Sequence, residues 1–242
     1  MRCAECQQEN RSKAVFCSNC GKRLIADEAP SFEKHVNKVS VFFFVLLGYI
    51  ALLRFTKFQQ DLQTIIISDV IFIGLIIIFF FINFKGVKEL FNVRKLNPLI
   101  LLIIVVSAIG MAFAVQTFAN YLNNTLFDRT QEAYYDYYKE SPYPLLLSVI
   151  SIGLVPAIFE EIAFRGILFT ELLHVTNKNA VILITSILFT ILHFSILSVI
   201  WLFPFALAMG YLRAKYNTIL YGIACHFTYN TSIVLIEWWL SK

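Results

Sequence analysis

Seven apolar runs follow one another along the chain, at about residues 39–55, 64–84, 97–119, 144–172, 179–198, 199–213 and 216–240. An α-helix needs roughly 20 mostly apolar residues to cross a bilayer. The pattern therefore predicts an all-α polytopic membrane protein with about seven transmembrane helices. The first run and the 199–213 run are marginal in length, and the 144–172 run exceeds one span. Pro204 and Gly210 interrupt the sixth run. Such breaks are tolerated where neighbouring helices or a cavity satisfy the freed backbone groups. The hydrophobic fraction is 58% and charged residues make up only 15%, whereas soluble domains are about half apolar. A water-soluble enzyme is therefore excluded. The net charge of +4 is modest, so nucleic acid is not an expected partner. Excess base in a membrane protein serves orientation and contact with anionic lipid. The first 38 residues are polar and contain no apolar core of a secretory signal peptide.

Four of the five cysteines lie within the first 20 residues, as Cys3-x-x-Cys6 and Cys17-x-x-Cys20-Gly21. Paired C-x-x-C units at this spacing predict a structural zinc site with ligands Cys3, Cys6, Cys17 and Cys20. So short a segment cannot fold on buried surface alone, and the metal would supply the folding energy. Two disulfides or a redox dithiol are the weaker readings, since nothing places this end in an oxidising compartment. Cys225, in the last apolar run, reads as a small buried apolar residue. The expected organisation is a zinc ribbon at 1–24, a linker at 25–38 and a membrane domain at 39–242.

Basic residues set the orientation. Arg2, Arg11, Lys13, Lys22, Arg23, Lys34 and Lys38 precede the first span. Lys85, Lys88, Arg94 and Lys95 follow the second, and Arg213 and Lys215 follow the sixth. With alternating spans all three groups fall on one side, which the positive-inside rule makes cytoplasmic. The loop at about 120–143 then lies outside. It carries Asp128, Arg129, Glu132, Asp136, Lys139 and Glu140 among Tyr134, Tyr135, Tyr137 and Tyr138. Clustered tyrosines suit a membrane interface. The ribbon lies in the reducing cytosol in this arrangement, in keeping with a metal site.

Within the long fourth run stand Glu160, Glu161 and Arg165. Ionisable groups at membrane depth are costly and face a bundle interior or a wet cavity. The bland alternative is a helix emerging into water at this point, but apolar residues resume on both sides. On a helix Glu161 and Arg165 share a face, with the acid on the favourable N-terminal side. Glu160 is rotated by about 100° from Glu161. Glu161 and Arg165 are thus expected to pair, leaving Glu160 for chemistry. His193 and His226 also stand within apolar runs, whereas His35 falls in the linker and His174 at a solvated helix end. Phe189 is four residues before His193 and can pack on its ring. His226 and Asn230 are four apart and share a face. Three helices so offer polar stations, a combination suited to hydrolysis. A carboxylate or imidazole can take a proton from water, and uncharged donors can stabilise an oxyanion.

Glu160-Glu161-x-x-x-Arg165, Phe189-x-x-x-His193 and His226-x-x-x-Asn230, in this order, resemble the three signature motifs of the CAAX-processing and bacteriocin-processing (CPBP, or Abi) intramembrane proteases. The tract from Gly210 to Asn217, leading to His226, is also similar, and the resemblance covers about residues 145–235. No H-E-x-x-H, G-x-S-x-G or G-x-G-D motif competes. The resemblance implies an endopeptidase acting on a hydrophobic, lipid-modified or membrane-bound peptide. By position, Glu160 matches the catalytic glutamate and His193 the histidine that holds and activates water. His226 and Asn230 match the oxyanion-binding groups, and Glu161 and Arg165 the supporting pair. The family has been described both as metalloproteases and as glutamic proteases. Glu160, His193 and His226 would suit a catalytic zinc; Asn230 suits hydrogen bonding instead, which favours the metal-free mechanism slightly. Bacterial relatives are linked with peptide maturation and bacteriocin self-immunity, and the fused ribbon with short loops points to a bacterial cell membrane. Two other classes compete. One is a non-catalytic scaffold or immunity factor that binds a peptide, with the ribbon recruiting a protein partner. The other is a proton-coupled transporter, which ranks last because no inverted repeat is visible.

Overall fold

The computed structural model describes residues 2–10, 17, 19–21, 24, 29–56, 61–127 and 134–242. Arg11, Lys13, Lys22 and Arg23 of the N-terminal segment, and Asp128, Arg129 and Glu132 of the loop, lie outside the described residues. Seven long helices are present among them: α1 (Ala29–Thr56), α2 (Leu62–Ile82), α3 (Pro98–Leu122), α4 (Pro144–Leu172), α5 (Lys178–Ile191), α6 (Val199–Tyr216) and α7 (Leu220–Leu240). Helix α1 begins inside the segment expected as a linker, so His35 is helical. Caps fix several starts. Asp61 accepts from the Thr64 N–H, Asn97 from Leu99 and Ile100 with Pro98 following, and Asn177 from Ala180.

Four helices, Phe32–Thr56, Leu62–Ile82, Pro98–Thr125 and Pro144–Leu172, are long and apolar enough to cross a membrane. Helix α5 has 14 residues, about 21 Å at 1.5 Å per residue, against a hydrocarbon core of about 30 Å. It ends at Ile191, short of the expected 198, because Phe194 turns the chain with a φ of 47°. Helices α1 to α3 turn large apolar side chains outward, among them Phe44, Phe55, Val70, Phe81, Leu99 and Val106. Outward apolar surface with charges inside is the pattern expected in lipid.

Helix α4 is central and touches α1, α2, α5, α6 and α7. Its stretch Ile162–Leu168 is entirely buried. Helix α7 packs along α3 by matched stripes at four-residue spacing: Ile104, Ala108 and Ala112 face Tyr221, Cys225, Tyr229 and Ile233. The two alanines let the backbones approach closely. The neighbouring stripe of α7 is Gly222, His226 and Asn230, turned toward α4. The tyrosine loop forms a 3-10 turn, Tyr134–Tyr138. Tyr135 and Tyr138 are buried, and the Tyr135 N–H donates to the buried Glu237 carboxylate of α7 at 3.1 Å.

Candidate active site

Glu160 and Glu161 close an α-helical turn of α4, Val155–Glu161, that lies between two π-helical stretches, Val149–Leu154 and Ile162–Leu168. Wider π turns inside an α-helix are rare and gather at functional sites. One carbonyl of the second stretch receives a donor from another helix: Arg213 of α6, whose Nε donates to the Arg165 carbonyl at 2.9 Å. The sequence places Arg213 as a charge flanking the sixth span. It is instead buried in the last turn of α6, where it also donates to the Asn217 side chain and lies over the Phe169 ring.

Arg165 Nη1 donates to Glu161 Oε1 at 2.9 Å, with both side chains at most 1% exposed. The guanidinium is held from two more sides, Nη2 donating to the Ala206 carbonyl at 3.1 Å and Cζ lying 4.7 Å from the Phe189 ring centre. Glu161 Oε2 lies against Gly222, where a Cβ would approach it to 2.4 Å. His226 stands between the two glutamates: Nδ1 is 3.4 Å from Glu161 Oε1 and Nε2 is 3.9 Å from Glu160 Oε2. The Glu160 side chain keeps 23% exposure, while Glu161 has none. Two carboxylates and one guanidinium leave a single negative charge.

His193 lies in the exposed turn after α5 and not within a helix. Its Nδ1 is 3.0 Å from the Phe189 carbonyl. A carbonyl only accepts, so Nδ1 carries the proton and a neutral ring leaves the Nε2 lone pair free. The Phe189 ring packs 4.8 Å from the His193 ring and 6.2 Å from the His226 ring, linking the two histidines through one aromatic. Asn230 Nδ2 donates to the Ile152 carbonyl at 2.8 Å. The structure thus gathers Glu160, Glu161, Arg165 and His226, joins His193 to them through Phe189, and turns Asn230 onto the backbone of α4.

Two further polar clusters escape the sequence reading. Asp69, in the most apolar helix, faces Ser151 of α4, which also faces Tyr138. The signal is the one that marks Glu160, an ionisable residue inside an apolar run. Glu171 of α4 meets His35, which also stacks on His174 at 4.3 Å, and Lys38, 3.0 Å away, which also reaches Asn83. Glu171 is separated from Lys38 by 133 positions, and no local pattern announces such a pair.

Cys3, Cys6, Cys17 and Cys20 present ligand atoms within 4.8 Å of one another and could hold a metal ion. Cys3 Sγ is 3.6 Å from Cys20 Sγ, and Cys6 Sγ is 3.4 Å from Cys17 Sγ, without disulfides. Four sulfurs around a zinc at about 2.3 Å would stand about 3.8 Å apart. The Cys20 N–H facing its sulfur brings the Cys17 thiol down to about 6, and the Cys6 N–H lowers the Cys3 thiol likewise. Thiolates so favoured are suited to bind a metal. Among the described residues this is the one set of three or more such side chains within that distance. Glu160, His193 and His226 are not gathered in this way.

Residues 142–232 match the family model described as type II CAAX prenyl endopeptidase Rce1-like. The matched segment contains Glu160, Glu161, Arg165, His193, His226 and Asn230. No curated protein and no solved structure matches the chain.

Proposed function

We propose that this chain is an intramembrane endopeptidase that hydrolyses a peptide bond of a hydrophobic, lipid-modified or membrane-bound peptide. The observation that carries the reading is the half-buried Glu160 facing His226 beside the sealed Glu161–Arg165 pair, inside the segment matched to CAAX endopeptidases. In this reading Glu160 takes a proton from a water that His193 helps to hold and activate, while the hydroxide adds to the peptide carbonyl. The oxyanion accepts hydrogen bonds from His226 and from the second N–H of Asn230. Collapse breaks the C–N bond, and the proton on Glu160 passes to the leaving amine. Glu161 and Arg165 support this wall without touching substrate. The four cysteines hold a structural zinc, and the ribbon is available to a protein partner. The basic residues favour a cytoplasmic N-terminus in a bacterial cell membrane.

The test compares peptide termini in membranes carrying the wild-type protein with those carrying Glu160→Ala. An uncut precursor should accumulate with the variant, and cleavage should fall by about 10²- to 10⁴-fold, the range for a lost general base. Identical termini in both membranes would reject the protease reading and leave a peptide-binding scaffold. A chelated variant lacking residues 1–30 separates the two mechanisms, since retained cleavage without bound metal rules out a zinc held by Glu160, His193 and His226.

A further inference from the structure

A groove of about 620 Å³ opens between the start of α1, the end of α2 and the end of α4. It lies at the end of the bundle next to the basic loop that follows α2. Its volume suits one small ligand. The three walls change character at the same level. Helix α1 enters the bundle here, and α2 and α4 leave by it. On α1, Lys34, Asn37 and Lys38 stand at the mouth and Val41 lies deeper on the same stripe, at the i, i+3, i+4, i+7 spacing of one helix face. On α2, Asn83 is at the mouth, and Phe79 lies one turn deeper. On α4, Glu171 is at the mouth and Ile167 and Leu168 lie below it. The groove is thus polar for about one turn and apolar beneath.

Neither a water-soluble molecule nor a plain hydrocarbon matches both halves. A molecule with a charged head and an alkyl tail does. Val41 and Ile82, in the apolar half, are 57% and 61% exposed, so this half is open sideways, on the same outward apolar surface that meets lipid. Charge then selects the head. Lys34 and Lys38 bring two positive charges to the lining, and Glu33 and Glu171 bring two negative ones. An anionic headgroup calls for an excess of base, which this lining lacks. A zwitterionic headgroup matches it. Lys38 donates to Asn83 at 3.2 Å and to Glu171 at 3.0 Å. An ammonium has three donors, so one N–H remains for a ligand. Lys34 and Glu33 are both exposed at the mouth.

We propose that this groove holds one zwitterionic glycerophospholipid from the surrounding leaflet, its phosphate at Lys34 and Lys38, its ammonium at Glu33 and one acyl chain along Val41, Phe79 and Ile167. The bound lipid bridges α1 to α4 beside the Lys38–Glu171 ion pair. The site is separate from Glu160, which precedes Ile167 by about two turns of α4 and faces His226 of α7. It does not depend on the cleavage reading.

Native mass spectrometry of the full chain in mild detergent tests the site, with phosphatidylethanolamine and phosphatidylglycerol added in equal amounts. The wild-type protein should retain one phosphatidylethanolamine in preference to phosphatidylglycerol by about tenfold, the scale of one hydrogen bond to a charged group. Glu33→Gln removes the partner of the ammonium and should abolish the preference. Lys34→Ala should weaken retention of phosphatidylethanolamine by about tenfold. Val41→Trp fills the apolar half and should abolish retention. Val41 faces lipid, so the larger side chain is compatible with the fold; an unchanged thermal midpoint checks this, and Val41→Phe serves if the midpoint falls. Equal retention of the two lipids, or a preference for phosphatidylglycerol, overturns the assignment of the headgroup. A preference that survives Glu33→Gln does the same. Undiminished retention in the filled-groove variant overturns the groove as the site. A dimer without retained lipid, lost in that variant, gives the groove to a second copy of the chain and overturns the proposal. Displacement of the phospholipid by an equal amount of a farnesylated CAAX peptide gives it to substrate and does so too.

Discussion

The cysteine cluster and the glutamate cluster in the membrane are held by opposite means. The cysteine centre takes all four ligands from one short segment, between Cys3 and Cys20, and its sulfurs converge around a point that belongs to none of them. The membrane centre draws Glu160, Glu161 and Arg165 from α4 and His226 from α7, and each charge there meets a partner that the protein itself supplies. In the proposed reading one centre depends on an ion it binds, the other on what surrounds it. Removing metal should therefore dismantle the first and leave the second intact. Structural zinc in such small units is worth about 10–16 kcal/mol. A strong chelator is expected to release one zinc per chain and expose residues 1–24 to protease. The thermal midpoint of the membrane helices should not move. A midpoint that falls with zinc release would break the comparison, by showing that the centres share one folding unit.

The next effect sharpens the difference within the membrane centre. Arg165 is 1% exposed, and Glu161 is its ion-pair partner, with the Ala206 carbonyl its other hydrogen-bond acceptor. Glu161→Ala strands a buried guanidinium, and breaking a buried pair in this way costs about 3–5 kcal/mol. Glu160→Ala removes a side chain with 23% exposure that lies 3.9 Å from the His226 ring, and should cost less than about 1 kcal/mol. Thermal unfolding of the two variants in the same lipid checks the order. Equal losses would mean that Glu160 and Glu161 divide the structural work evenly, against the asymmetry of their burial.

Much of this is legible in the sequence wherever partners are close along the chain. The C-x-x-C spacing gathers thiols through two local turns, and the spacing of Glu161 and Arg165 becomes a salt bridge on any helix. The long apolar runs become helices because a helix satisfies its own backbone groups within one segment in lipid. What stays hidden depends on how helices meet. Arg213 looks like a flanking charge until α6 lays it on the Arg165 carbonyl. His193 looks like a residue in mid-helix because no glycine or proline marks the turn that Phe194 makes at positive φ. The π stretches have no residue code of their own, and the side-chain donors that meet them, Arg213 and Asn230, arrive from other helices.

The smallest effect returns to the ribbon, where the two turns carry an internal control. Gln7 follows Cys6 and Gly21 follows Cys20, and both adopt left-handed backbone, with φ of 60° and 74°. A side chain at such a φ costs roughly 1–2 kcal/mol, which glycine avoids. The position of Gly21 has no atom within 4 Å of an added Cβ, so Gly21→Ala meets only this conformational cost. Gln7→Gly removes the same cost from the other turn. Zinc affinity, read by competition with a chromophoric chelator, should weaken roughly fivefold or more in the first variant and strengthen by a similar factor in the second. Gly222 in the membrane centre is the contrasting case, a glycine kept for space, since its Cβ would stand 2.4 Å from Glu161 Oε2. If Gly21→Ala leaves zinc affinity untouched while Gln7→Gly raises it, the two turns are not equivalent and the metal bears on the first turn alone.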